Sequence, residues 1–223
     1  MSIWVIMLLV MVASAIIQAG LERRFTKYSN VPASLTGAEA ARKMLAENGI
    51  YDVTVESVRG HLTDHYNPTN KTINLSESVY NSRSIAAVAV AAHETGHALQ
   101  HAQGYAPVKL RSALVPVVSF CNQAVSWVLL LGVIMSETLP NLLWIGIAMF
   151  AMTTLFSLVT LPVEINASAR AIEWLDTAHV TDFETTPMAK DALRWAAYTY
   201  IIAAIGSLAT LLYYIGIANN RRD

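Results

Sequence analysis

The chain has 223 residues, 54% of them hydrophobic and only 14% charged, with a net charge of −1. Soluble domains carry about 25% charged residues, so an ordinary water-soluble globule is disfavoured, and the balanced charge excludes an electrostatic nucleic-acid binder. The single cysteine, Cys121, excludes an intrachain disulfide; lying inside an apolar run, it reads as a small packing residue.

The first apolar segment runs from Ile3 to about Ala19 and is one of four uncharged stretches able to span a bilayer, which takes about 20 residues. Its basic residues (Arg23, Arg24 and Lys27) follow it rather than precede it. Residues 1–21 therefore read as an uncleaved transmembrane anchor rather than a signal peptide. Residues 22–112 are more polar. Thr36-Gly-Ala-Glu39 fits a capping box that opens a helix to about Asn48, with Gly49 as its stop. Asp52–Val58 alternates around Val53 and Val55 and reads as a strand. His61–Tyr66 and Thr72–Leu75 read as two further strands, set apart by the Arg59-Gly60 turn and the breaker Asn67-Pro-Thr-Asn70. Asn70-Lys-Thr72 matches a glycosylation sequon, which carries no meaning on a cytoplasmic loop. Ser84 can cap a helix from Ile85 to about Gln103, ended by Gly104.

Residues 113–161 read as a transmembrane hairpin, Ala113–Met135 and Leu139–Leu161, joined by the turn Ser136-Glu137-Thr138. Pro162 is expected to break the third span and to start a separate helical segment, 162–195. Ala196–Ile217 is the fourth span, inside 196–223. With all four crossing, Arg23, Arg24, Lys27, Lys109, Arg111, Arg170, Lys190 and Arg194 share one face. The excess of positive charge makes that face cytoplasmic, against the dissent of Arg221 and Arg222 on the other side.

The chemistry centres on His93-Glu94-Thr95-Gly96-His97, an HExxH pattern. On a helix, residues i and i+4 share a face about 6 Å apart, so both imidazoles can reach one Zn²⁺ at about 2.1 Å. Glu94 can then hold a metal-activated water and accept its proton as general base. The pattern alone is expected by chance in on the order of one chain in a hundred. Its setting adds weight: Ile85–Ala92 is almost wholly apolar, and polar groups buried on such a helix cost several kcal/mol unless satisfied. The bland alternative is a pair of solvated or locally bonded histidines.

A catalytic zinc needs a third protein ligand. His101 repeats the i+4 spacing but lies about 12 Å along the axis from His93, so it reads as a surface or supporting group. Glu164 is the better candidate. It heads a stripe of small residues, Ala167, Ser168 and Ala171, that lets its helix approach another closely. Two spans separate it from His97, an even number that returns both to one face. The alternative is an interfacial acid at a membrane boundary.

Leu62-Thr-Asp64-His65-Tyr66-Asn-Pro68, Ile73-Asn-Leu-Ser-Glu-Ser-Val-Tyr80, Ser84 through His93-Glu94-Thr-Gly-His97-Ala-Leu-Gln100, and Pro162-Val-Glu164-Ile-Asn-Ala-Ser-Ala-Arg170-Ala171 together resemble the YugP-like family of bacterial membrane neutral zinc metallopeptidases. The resemblance covers nearly the whole chain. It implies a gluzincin-type peptidase with Glu164 as third ligand, and its layout is similar to HtpX-like membrane peptidases, whose active site faces the cytoplasm. It also draws attention to His65 and Tyr66, which could stabilise an oxyanion at a strand end, or offer that edge to an extended peptide. Asn166 and Arg170 are candidate partners of a ligand or surface residues.

The expected fold is a mainly α membrane protein: a four-span helical bundle with a small α+β zincin-like domain carrying the HExxH helix. The expected function is hydrolysis of peptide bonds in a peptide or protein substrate, membrane proteins among them, with Zn²⁺ as cofactor and the lipid bilayer as surroundings. The alternative is a non-catalytic membrane scaffold or chaperone partner that keeps a structural metal. A transporter is disfavoured, because none of the four spans contains a charge.

Overall fold

The computed structural model describes residues 3–135 and 137–220; Ser136 of the expected turn and the tail residues Arg221 and Arg222 lie outside them. The elements in order are α1 (Ile3–Ser29), α2 (Gly37–Glu47), β1 (Thr54–Val58), β2 (His65–Asn67), β3 (Thr72–Ser76), α3 (Glu77–Tyr80), α4 (Ile85–Ala102), α5 (Ala106–Ile134), α6 (Pro140–Thr177) and α7 (Thr186–Asn220). Helices α1, α5, α6 and α7 are long and apolar enough to cross a membrane.

The chain forms two compact units. One comprises residues 1–15, 109–162 and 199–223; the other comprises 16–108 and 163–198. The second holds the sheet and the chemistry. Its sheet has the order β1-β3-β2, with β1 parallel and β2 antiparallel to β3, and Tyr66 opposite Ile73. The central strand is buried at all five residues, which suits its β-branched and aliphatic Thr72, Ile73 and Leu75. The capping box forms as expected: the Thr36 main-chain N–H donates to Glu39 Oε2 at 2.8 Å, and Glu39 N–H donates to Thr36 Oγ1 at 3.1 Å. Gly49 supplies the left-handed stop, at φ 70°. Ser84 Oγ accepts from Ala87 N–H at the start of α4, and α4 is buried almost throughout. In the same unit, Asp191 of α7 accepts from Arg24 Nε at 3.0 Å and from the Tyr28 hydroxyl at 2.8 Å, both on α1.

Two expectations need correcting. The strand expected over His61–Tyr66 is only His65–Asn67, because Gly60 and Leu62 take φ of 120° and 55° and curl the chain out of extended geometry. Pro162 does not break a helix: α6 runs through it from Pro140 to Thr177. A proline removes one i→i−4 bond and bends a helix whose two sides are otherwise favoured. The residues that follow, Val163 to Ala171, are mostly good helix formers held against α4.

Candidate metal centre

His93 and His97 stand one turn apart on α4, their rings edge to face with centroids 4.8 Å apart. Glu164 of α6 reaches both: its Oε2 lies 3.3 Å from His93 Nε2 and 3.4 Å from His97 Nε2. One ligand atom from each of the three lies within 4.8 Å of the others. The carboxylate is 2% exposed.

Small side chains bring the two helices this close. A Cβ placed on Gly96 would come within 2.7 Å of the Ala167 carbonyl oxygen and 3.2 Å of Ala167 Cα. Ala167 and Ala171 are fully buried, as expected for a stripe that lets backbones approach. Placing two imidazoles and a carboxylate in such an interior costs several kcal/mol unless a charge compensates them. Burial alone would pull the His97 pKa down, but the hydrogen bond its N–H donates to Glu164 and the charges of Glu94 and Glu164 outweigh it and hold the ring above the usual imidazole value.

The donor set fits a zinc ion. Two imidazoles and one carboxylate converge, the number and kind of protein ligands that catalytic zinc sites carry. Both outer ring nitrogens are engaged elsewhere, as metal-binding histidines require: His93 Nδ1 lies 3.1 Å from Ser168 Oγ, and His97 Nδ1 lies 3.1 Å from Gln100 Oε1. Gln100 in turn bonds to Val163 O and Asn166 Oδ1, and Asn166 to Arg170.

Glu94, adjacent to His93, is buried, and its Oε2 accepts the main-chain N–H of Tyr66 at 3.0 Å. Strand β2 therefore touches the HExxH helix through its backbone. The Tyr66 ring lies 5.4 Å from the ring of His101, tilted by 53°, and burial pushes its phenol pKa up. The His65 ring is engaged with the sheet: Nδ1 lies 2.9 Å from Thr63 O, and Nε2 lies 3.3 Å from Asn74 Nδ2. A carbonyl only accepts, so Nδ1 carries the proton and Nε2 of the neutral ring accepts. Asp64 ties the loop down by accepting from Ser76 N–H and Oγ–H; burial raises its pKa against those bonds.

Sequence reasoning brought His93, His97 and Glu164 to one place but missed three contributors: Gln100, the hydroxyl of Ser168 and the backbone of Tyr66. The detectable signal for Gln100 was a glutamine three residues after His97, on the same face of a buried apolar helix.

Residues 3–219 match the profile of a family described as "Putative neutral zinc metallopeptidase". The chain is 46% identical over 209 residues, covering 92% of each chain, to a Bacillus subtilis (strain 168) protein named "Putative membrane protease YugP". No solved structure matches it at a significant level.

Proposed function

The chain belongs to the family of neutral zinc metallopeptidases, and we propose that it is a membrane-embedded zinc endopeptidase of gluzincin type, working on the cytoplasmic face. The observation that carries this reading is the convergence of His93 Nε2, His97 Nε2 and the Glu164 carboxylate within 4.8 Å, beside a buried Glu94 on the same helix.

His93, His97 and Glu164 would hold the ion. Zinc, when bound, supplies Lewis acidity that makes water nucleophilic near neutral pH and polarises the scissile carbonyl. Glu94 accepts the proton of the attacking water and returns it to the leaving amine. The Tyr66 N–H fixes which carboxylate oxygen of Glu94 is engaged, leaving the other for that transfer. His65 Nε2 accepts from Asn74 in this arrangement and has no hydrogen to give, which leaves Tyr66 as the candidate oxyanion donor of the two. The sheet and α4 supply a zincin-like frame, and the basic residues flanking the spans favour the cytoplasmic orientation.

Glu94→Gln is the decisive variant. It is expected to keep zinc at one ion per chain while peptide hydrolysis falls to background. Undiminished hydrolysis in that variant removes Glu94 from the mechanism.

A further inference from the structure

Beyond the three ligands runs a chain of hydrogen bonds whose direction is set at one end. Arg170 has only donors. Its Nε donates to Asn166 Oδ1 at 2.8 Å, and its Nη1 donates to Gln103 Oε1 at 2.6 Å. The bond from Nε orients the Asn166 amide with its oxygen as acceptor, and the same oxygen accepts from Gln100 Nε2 at 2.9 Å. Gln100 Nε2 also donates to Val163 O at 2.8 Å, a group that can only accept. Two acceptors therefore fix which end of the Gln100 amide is nitrogen. Its oxygen is left facing His97 Nδ1 at 3.1 Å. An amide oxygen has no proton to give, so Nδ1 must carry one. Nε2 is then the ring nitrogen that faces Glu164 Oε2, 3.4 Å away. It is left for the cation, proton or metal, that sits between the two groups.

We propose that Gln100, oriented by Arg170 through Asn166 and by the Val163 carbonyl, is the positioning residue that holds His97 in its Nδ1–H form and so prepares Nε2 to bind zinc. Imidazole rings whose outer N–H is held in this way bind metal more tightly, and loss of such a partner typically weakens affinity by 10–100-fold. Gln100 is fully buried, and among the described residues its side chain bonds to partners on α4 and α6. The inference rests on the zinc-site reading above.

The test is zinc affinity of the full-length chain in detergent, by chelator competition, together with the ¹H–¹⁵N signal of the His97 Nδ1 proton in the zinc-loaded protein. Gln100→Met, which keeps the side-chain bulk, is expected to weaken zinc binding by about 10–100-fold. It is also expected to shift the His97 Nδ1 proton and hasten its exchange, which loss of packing alone would not do. Arg170→Met, at the outer end of the relay, is expected to give a smaller loss, under about tenfold. Arg170→Lys, still a pure donor, should recover most of it. These two variants keep the idea testable if Gln100→Met does not fold. Wild-type affinity and an unchanged Nδ1 signal in Gln100→Met, or affinities alike in Arg170→Met and Arg170→Lys, overturn the relay while leaving the zinc site standing. A wild-type chain that binds no zinc, or whose binding survives His93→Ala, brings down the zinc-site reading, and the relay with it.

Discussion

In the unit built from residues 1–15, 109–162 and 199–223, Trp4, Phe120, Trp127 and Ile134 are each 68–75% exposed. In the unit built from 16–108 and 163–198, Ile73, Leu75, Ile85 and Val88 are at most 1% exposed, and so are sealed from solvent. Large apolar side chains facing outward are what lipid requires, and an apolar interior is what water requires. Polar atoms follow the same division. The first unit has short hydroxyl contacts such as Thr154–Ser207 and Thr153–Asn122. The second buries Glu94, Glu164 and Gln100 around one point. The hydroxyl contacts Thr154–Ser207 and Thr153–Asn122 in the first unit join neutral groups; the second unit buries carboxylates, whose placement costs several kcal/mol unless a charge or hydrogen bonds compensate them.

That contrast predicts unequal penalties. The largest belongs to Glu164→Ala, which removes the carboxylate that His93 and His97 share. Zinc affinity is expected to fall by more than about 100-fold, beyond the range seen for lost supporting partners, with hydrolysis lost alongside. Retained one-to-one zinc by metal analysis would reduce Glu164 to a structural acid and blunt the contrast.

Next comes pH. In the metal-free fold the His97 pKa is raised, because Glu164 and Glu94 outweigh burial. The stabilisation from its protonated form is thus complete below the ordinary imidazole value and fades as pH rises through the raised one. Zinc must displace that proton. Apparent zinc affinity should therefore fall by about tenfold per unit as pH drops below the raised value, beginning at a higher pH than for an ordinary histidine. Chelator competition across pH measures it, and a flat profile there would show that His97 gives up no proton to the metal.

Two glycines sharpen the comparison at smaller scale. At Gly96 an added Cβ meets the backbone of α6, which cannot swing aside as a side chain can; at Gly216 in α7 nothing lies within 4 Å. Gly96→Ala should destabilise the protein by about 1–3 kcal/mol and loosen zinc binding, since Ala167 is three residues from Glu164. Gly216→Ala should be neutral or stabilising by up to about 1 kcal/mol through helix propensity. Thermal unfolding in detergent separates them, and equal effects would deny that the α4–α6 approach is tight for the sake of the site.

The same contrast explains which features were legible in the sequence. The spans, the capping box and the i, i+4 histidines depend on local pattern, and each element is present. Glu164 was reachable because counting two crossings and reading a stripe of small residues both constrain where a distant carboxylate returns. Gln100 was passed over because its partners are a carbonyl and an asparagine more than sixty residues away. The Tyr66 N–H was invisible in principle, since every residue but proline carries that donor and only strand placement aims it at Glu94. Pro162 misled because the penalty of a proline is local and the packing that overrides it is not.

The smallest effect is expected at Thr154. Its hydroxyl donates to Phe150 O at 3.1 Å, so the 2.8 Å contact with Ser207 is donated by Ser207. Removing either hydroxyl leaves no buried charge behind, and in an apolar surrounding the unfolded helices find alternative partners for the same groups. Coupling energies for such pairs in membranes average about 0.6 kcal/mol and reach about 1.7. A double-mutant cycle on Thr154→Val and Ser207→Ala, read by unfolding in detergent with zinc affinity as a parallel measure, should fall in that range and leave zinc binding untouched. A coupling well above it, or a change in zinc affinity, would mean that hydroxyl pairs in the apolar unit carry more than helix association, and the division drawn between the two units would have to be abandoned.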